Sequence, residues 1–322
     1  MILLKASGSK LGLRSLAGSL FVISLLVLSF SPLACSHREQ AGAISVQLKT
    51  GPKISIPDSD LEREDHFRIG FAAIFSPRET LKHYTGLADY LSTKLGKPVE
   101  MVQRYTYSEI NHLLEAEEID LAFVCTFAYV TGQEESYMEA LAIPLVSGKR
   151  EYQSFLITRS NNTYKDLGDF RGKTFAFTDP LSFSGRNYPL YVLWSRGESP
   201  ETFFSSYIYT YSHDNSIRAV LEGLVEGAAV DSQVYEQFLA NHPNLKEYFK
   251  VIDSSPPVGN PPFVVNPKMS SAKKEKLREI LLKMHLDPEG KKVLERIGFE
   301  RFVLPQDESY DYIRKIKSEM GS

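Results

Sequence analysis

Cysteine is scarce in this chain: Cys35 and Cys125 are the only two in 322 residues. There is no CxxC pair and no HExxH, so the ligand spacings of structural and catalytic zinc are missing and no metal is expected. No GxxxxGK[ST] loop occurs, which argues against a nucleotide held by its phosphates. No G-x-S-x-G elbow occurs either, which argues against a hydrolase serine. An excess of positive charge is also lacking. Lys and Arg total 37 against 40 Asp and Glu, for a formal net charge of −3. Three of those bases (Lys5, Lys10 and Arg14) precede a long apolar run, so the rest of the chain is more acidic still. That balance argues against a nucleic-acid partner. It leaves a small anionic ligand open, because local N–H and hydroxyl donors hold an oxyanion without a basic surface.

Apolar runs of membrane-spanning length are missing as well. The longest, Leu16 to Phe30, is broken by Gly18, Ser19, Ser24 and Ser29 and is short for a spanning helix. With a basic, acid-free stretch before it, residues 1–35 are expected to be an export signal. Leu33-Ala34-Cys35 resembles a bacterial lipobox, whose cysteine becomes lipidated, although Pro32 stands where that motif usually has leucine. The alternative is a plain cleaved signal peptide. A lipidated Cys35 would leave Cys125 without an intramolecular disulfide partner. Cys125 itself ends the apolar run DLAFVC and reads as a small buried hydrophobe rather than a reactive thiol.

The remaining chain is ordinary globular material, 43% hydrophobic and 24% charged. Residues 36–65 are polar and mixed and read as a tether. From His66 onward, strand-like and helix-like stretches alternate. FRIGFAAIF reads as a strand ending at Ser76-Pro77, where Pro favours a first helical turn. Leu81, Tyr84, Leu87, Leu91 and Leu95 then recur at helical spacing up to Gly96. Tyr107 to Glu117 reads as a helix and Ile119 to Cys125 as a strand. The pattern restarts after Tyr152, with a helix expected over Asn215 to Glu226 and another over Ser232 to Ala240. Such alternation implies parallel sheets with covered faces, and a ligand crevice at the carboxyl ends of the strands. Ser76, Cys125, Asp179, Ser182 and Asp231 all fall just after expected strand ends.

The densest chemical signal is Thr174 to Gly185, TFAFTDPLSFSG. A strand breaks at Asp179-Pro180 and runs through two serines into a glycine and a helix. A helix start presents free N–H groups and the positive end of its dipole, which attract anions. Ser182 and Ser184 would add hydroxyl donors, and Gly185 would let an oxyanion approach the backbone. The same Ser-x-Ser pattern also serves as a simple N-cap.

Five blocks in succession carry a resemblance. They are FRIGFAAIFSP, EEIDLAFVCTFAYV, DLGDFRGKTFAFTDPLSFSG, SHDNSIRAVLEGLVEGAAVDS and, at the C-terminal end, VIDSSPPVGNPPFVV with DPEGKKVLERIGFERFV. Together they resemble the phosphate/phosphite/phosphonate-binding (PhnD-like) family of ABC-transporter substrate-binding proteins, from about Phe67 to about Tyr312. The resemblance implies a type II periplasmic-binding-protein-like α/β fold with two lobes, a hinge and an interlobe cleft. Residues 66–150 plus 253–322 would form lobe 1 and 151–252 lobe 2, with Pro256-Pro257 and Pro261-Pro262 stiffening the return segment.

The resemblance also implies site residues. Ser182, Phe183, Ser184 and Gly185 match the family's anion loop; Phe183 departs from a small polar residue, removes one hydroxyl and adds a ring. That ring would favour a smaller or differently shaped ligand, or close the cleft. Arg186 could pair with an oxyanion or lie exposed on a helix. His213 matches the family histidine and would donate to a phosphoryl oxygen, while Asp214 reads as a cap. Asp231 would line the cleft, where a shared proton, His213 or a ligand amine would satisfy it; it is equally placed to cap the helix from Ser232. Tyr107 matches the tyrosine reaching in from the first lobe, with Tyr105 two residues away. Thr126, Tyr129 and Ser76 would line the first-lobe wall.

The expected function is an extracytoplasmic, lipid-anchored solute-binding protein on the periplasmic side of a bacterial membrane. It would capture a phosphonate, phosphite or phosphate and deliver it to an ABC permease, without catalysis or cofactor and as a monomer. A sensor domain signalling to a membrane kinase or receptor would use the same fold. A secreted hydrolase built on Ser182, His213 and Asp231 is the third reading.

Overall fold

The computed structural model describes residues 66–321; the leader, Cys35 and the tether lie outside the described residues. The described residues fall within one compact unit, Pro57–Ser322. In chain order the strands are β1 (Phe67–Phe71), β2 (Val99–Gln103), β3 (Leu121–Phe123), β4 (Glu139–Leu145), β5 (Glu151–Tyr152) and β6 (Ser154–Arg159). They continue with β7 (Thr174–Phe177), β8 (Ser206–Tyr209), β9 (Gly227–Asp231), β10 (Phe249–Ser254), β11 (Val258–Gly259), β12 (Phe263–Val265) and β13 (Arg301–Val303). They form a six-stranded sheet ordered β13-β4-β12-β3-β1-β2 and a five-stranded sheet ordered β10-β6-β9-β7-β8. Each sheet is the centre of one lobe.

The sheets are mixed, which corrects the expectation of parallel ones. β1 runs parallel to β2 and β3, and β7 runs parallel to β8 and β9. β12, however, is antiparallel to both β3 and β4, and β6 is antiparallel to both β9 and β10. Of the reversed strands, β6 and β12 are the first to enter a sheet after each crossing between lobes, and β13 is added antiparallel to β4 at an edge. A chain arriving from the other lobe enters from the cleft side, opposite to a strand fed by a βα unit.

The crossing itself is a two-stranded ribbon in which β5 pairs with β11, Tyr152 opposite Val258. Asn260 fastens its base: its N–H reaches Arg150 O at 2.8 Å and its amide reaches Pro144 O at 2.9 Å. Gly259 is required there, since a Cβ would stand 2.9 Å from the Tyr310 ring.

Local chemistry sets the helices. Pro77–Leu95 starts with Pro in its first turn and ends at Gly96, whose φ of 73° makes the left-handed cap. Tyr84, Leu87 and Leu91 are buried as the spacing implies, but Leu81 is exposed on the opposite face. Thr106 and Glu109 form a reciprocal capping box at the start of Tyr107–Glu115. The helix expected from Asn215 to Glu226 runs from His213 to Leu221 and stops before Gly223, which sits at φ 75°.

Candidate functional site

The expected anion loop opens a π-helical turn, Phe183–Asn187, in which Phe183, Ser184 and Gly185 are buried. Ser182 accepts the Gly185 N–H at 2.9 Å, so the N-cap alternative is realised for that serine. Ser184 is fully buried and its hydroxyl has no hydrogen-bond partner. The first N–H groups of a helix have no intrahelical acceptor; that of Phe183 meets the Cys125 thiol, and that of Ser184 remains as a donor beside its hydroxyl. A Cβ on Gly185 would stand 2.5 Å from Thr178 Cβ, so glycine is what lets this turn lie on the end of β7.

Phe183 does not obstruct the cleft. Its ring is fully buried, edge-on to Tyr152 at 6.1 Å and Tyr312 at 6.4 Å, and tilted against Tyr188 at 6.3 Å. Its side chain therefore points into the core, which replaces the expected bulk at the loop. Arg186 is engaged elsewhere, donating to Tyr209 OH at 2.7 Å and Pro180 O at 3.2 Å.

His213 and Asp231 meet through the backbone. The Asp231 N–H donates to His213 Nδ1 at 3.0 Å. Nδ1 is thus an acceptor, and the ring proton must sit on Nε2. Burial lowers the imidazole pKa to about 3, which keeps the ring neutral and leaves Nε2–H as a donor. The Asp231 carboxyl caps the Ser232–Asn241 helix, its Oδ1 accepting from Gln233 N at 2.7 Å and Val234 N at 3.2 Å. Burial pushes that carboxyl up to about 7, against the pull of those two N–H groups. Among the described residues no hydrogen bond reaches Oδ2.

Tyr107 enters from the first lobe. It is fully buried, faces the Ser182 hydroxyl without a hydrogen bond of good geometry, and its phenol is left unpartnered. Burial holds it protonated, with the charges of Cys125, Asp179 and Asp231 adding to the shift. Thr126 is also buried, but its hydroxyl pairs with Tyr152 OH at 2.7 Å. The Cys125 thiol lies against the backbone N–H of Phe183 and Phe127, and burial pushes its pKa up. Tyr129 packs on Tyr310 at 5.0 Å and takes no part in this cluster. Tyr105 is 65% exposed and lies tilted against Tyr211 at 4.3 Å.

Beside Asp231 lies a cavity of about 270 Å³ between the lobes. Phe75, Tyr84, Phe123, Val234 and Phe299 give it apolar walls, and Asp231, Gln233, Glu236 and Gln237 supply polar edges. Sequence reasoning missed Tyr84 and Tyr152. Tyr84 counted only as one apolar position of a helix, and Tyr152 sits in a two-residue strand with no pattern of its own. Among the described residues no cluster of His, Cys, Asp or Glu is grouped to hold a metal ion.

The arrangement offers two unpartnered hydroxyls, the Ser184 N–H and a neutral imidazole, with a carboxyl beside them. Such a site can wrap a small oxyanion but holds no activated nucleophile: Ser182 and His213 share no hydrogen bond, as a catalytic dyad requires.

Similar proteins share this fold. The phosphonates-binding periplasmic protein of Escherichia coli (strain K12) is 23% identical over 260 residues, covering 79% of this chain and 77% of that one. A binding protein component of an ABC phosphonate transporter from Pseudomonas aeruginosa superposes with a TM-score of 0.72 at 23% identity, over 78% of this chain and 85% of that one. PhnD1 from Prochlorococcus marinus (MIT 9301), solved in complex with methylphosphonate, gives a TM-score of 0.69 at 18% identity, over 80% and 98%. Residues 69–310 match the family model described as ABC transporter, phosphonate, periplasmic substrate-binding protein, and the chain belongs to that family of binding proteins.

Proposed function

We propose that this chain is the extracytoplasmic substrate-binding component of an ABC transporter, and that it captures a small phosphorus oxyanion between its lobes. The observation that carries the reading is the pair of unpartnered hydroxyls, Tyr107 from one lobe and Ser184 from the other, both fully buried. Leaving a buried hydroxyl unpaired costs about 1–3 kcal/mol, so two on facing lobes point to a missing acceptor. In this reading the oxyanion accepts from the hydroxyl and N–H of Ser184, from His213 Nε2 and from Tyr107. Ser182 and Gly185 shape the turn, and Thr126 supports the first-lobe wall through Tyr152.

The cavity beside Asp231 gives room for a carbon substituent on phosphorus, and the free Oδ2 favours a substituent that carries a hydrogen-bond donor. A phosphonate therefore suits the cleft better than bare phosphate. The E. coli relative, named for phosphonates, and the P. marinus structure with methylphosphonate support that choice, whereas the P. marinus protein is also named for phosphite and a Mycolicibacterium smegmatis relative for phosphate import. Cys35 is the proposed lipid anchor, holding the domain at the membrane face where the permease opens.

The test is thermal unfolding of the chain from Ser36 with methylphosphonate, 2-aminoethylphosphonate, phosphite, phosphate and sulfate. A ligand at about 100 times its dissociation constant adds about 2.7 kcal/mol, a rise of roughly 5–10 °C for a domain of this size. A rise with a phosphorus oxyanion and none with sulfate is expected. No shift with any of the phosphorus compounds would overturn the assignment.

A further inference from the structure

Two carboxylates of the second lobe reach across the cleft to helix starts of the first. Asp214 accepts the Ser76 N–H with Oδ1 at 2.7 Å and the Ser76 hydroxyl with Oδ2 at 2.7 Å. Ser76 is the N-cap of Pro77–Leu95, yet its hydroxyl makes no capping bond to its own helix. A serine in that position normally accepts from the first turn. Here it donates, and the charge at the helix start comes from the other lobe. Asp179 repeats the arrangement: its Oδ2 accepts the Tyr107 N–H, the first residue of Tyr107–Glu115, at 3.1 Å. Between the two, His213 N–H donates to Ile74 O at 3.0 Å. Asp214 and Asp179 are 4% and 1% exposed, so water does not compete for these bonds while the lobes are together.

Neither aspartate is needed for these duties by its own lobe. Asp214 lies in the first turn of His213–Leu221, where water could serve an acidic side chain equally well. Asp179 already accepts the Leu181 N–H through Oδ1, which leaves Oδ2 free for the crossing bond. Separating the lobes breaks the crossing bonds together and returns both helix starts to solvent.

We propose that Asp214 and Asp179 are positioning residues that latch the closed form by capping first-lobe helices in trans, setting affinity and release rate without touching the ligand. Each bond exists only when the lobes are closed, so each raises the closed population and, through it, the apparent affinity. The latch rests on the closed geometry, and only its effect on affinity rests on the proposed oxyanion.

Three variants test it: Asp214→Ala, Asp214→Asn and the pair Ser76→Ala with Asp214→Ala. Methylphosphonate release is followed by stopped flow, and the ligand-free radius of gyration by small-angle X-ray scattering. Asp214→Ala should speed release at least about tenfold to hundredfold, since two hydrogen bonds accepted by one carboxylate are lost. Asp214→Asn should recover part of that, because one acceptor remains. The pair should release no faster than Asp214→Ala alone, as expected for two groups that act only through each other. Ligand-free Asp214→Ala should also be more expanded than wild type at a similar unfolding midpoint. Binding of methylphosphonate with unchanged release rates and radii would remove the latch and keep the ligand reading. No binding, with an expanded variant, would keep the latch and remove the ligand reading. No binding and equal radii would remove both.

Discussion

Replacing Tyr107 with phenylalanine deletes one oxygen and nothing else, and two opposite effects are expected from that single change. In the ligand-free protein the hydroxyl is fully buried and unpartnered, so it is a cost rather than an asset. Its removal should raise stability by up to about 1–3 kcal/mol, the price of an unsatisfied buried hydroxyl. For a domain of this size that is a midpoint rise of roughly 2–10 °C. In the complex the same hydroxyl donates to an anion, a bond contributing about 1.5–3 kcal/mol. Its loss should weaken methylphosphonate binding about tenfold to 150-fold. Scanning fluorimetry without ligand and calorimetric titration with methylphosphonate read the two effects separately. A protein that is stabilised and binds less well separates a ligand group from a structural one. Reasoning from the orphaned hydroxyl fails if Tyr107→Phe binds within twofold of wild type. It fails equally if the ligand-free variant melts lower, because the hydroxyl would then have a structural partner.

The two serines of the loop should behave differently. Ser182→Ala loses the cap on Gly185 and should cost about 1 kcal/mol of ligand-free stability in urea titrations, whereas Ser184→Ala should cost none and mainly weaken binding. Gly185→Ala forces a Cβ onto Thr178 and should destabilise by about 1–3 kcal/mol with a lower urea midpoint; an unchanged midpoint would mean that the turn has room. Asp231 carries a pH signature. Burial raises its folded pKa to about 7, so its contribution to stability is full below the unfolded value near 4 and is lost as pH rises through 7. Asp231→Asn keeps the cap without the titration. Its stability relative to wild type should therefore climb by about 1.4 kcal/mol per pH unit between roughly pH 4.5 and 6.5 and level off above 7.5; a flat difference would show that Asp231 is not buried in solution.

What was legible in the sequence was chiefly what is local. The break at Asp179-Pro180, the two serines and the glycine lie within a few residues of one another, and the turn they specify forms where expected. The capping duty of Asp231 was visible for the same reason, as an acid just before an amphipathic helix. Tyr107 and His213 were carried by resemblance to a family, since nothing in a lone tyrosine or histidine marks a cleft. Contacts between distant parts of the chain were not legible. Asp214 looked like a cap for its own helix, but its partner is 138 residues earlier on the other lobe. Strand direction was lost in the same way. Alternation of helix and strand predicts parallel neighbours, yet β6 and β12 enter from the hinge, which no local pattern records. β4 was hidden because EALAIPL has a proline inside it, tolerated at Pro144 beside the short edge strand β13. Phe183 was misjudged because spacing says which residue stands in a loop and not which way its ring turns.

Charge balance ties the loop, the carboxyl and the latch together. Neither the anion loop nor the wall of the adjoining cavity contains a lysine or arginine, and the guanidinium of Arg186 is held by Tyr209 and Pro180. A fully ionised oxyanion enclosed there would meet only partial charges: the Ser184 N–H at a helix start, two hydroxyls and a neutral imidazole. Burying a net charge against dipoles alone is costly, so the site favours the lowest charge the ligand can carry. A carboxyl whose pKa burial raises to about 7 fits that demand, because it sets less negative charge beside the ligand than an ordinary aspartate would. The histidine fits it too, being held neutral and offering one proton on a fixed nitrogen. Two further carboxyls at the lobe interface, Asp214 and Asp179, are turned to helix starts of the opposite lobe, which receive them. Closure thus separates two tasks. Hydrogen-bond donors recognise the ligand inside the cleft, and helix dipoles bind carboxylates at its edge, so affinity can be tuned at the edge without altering what the cleft recognises.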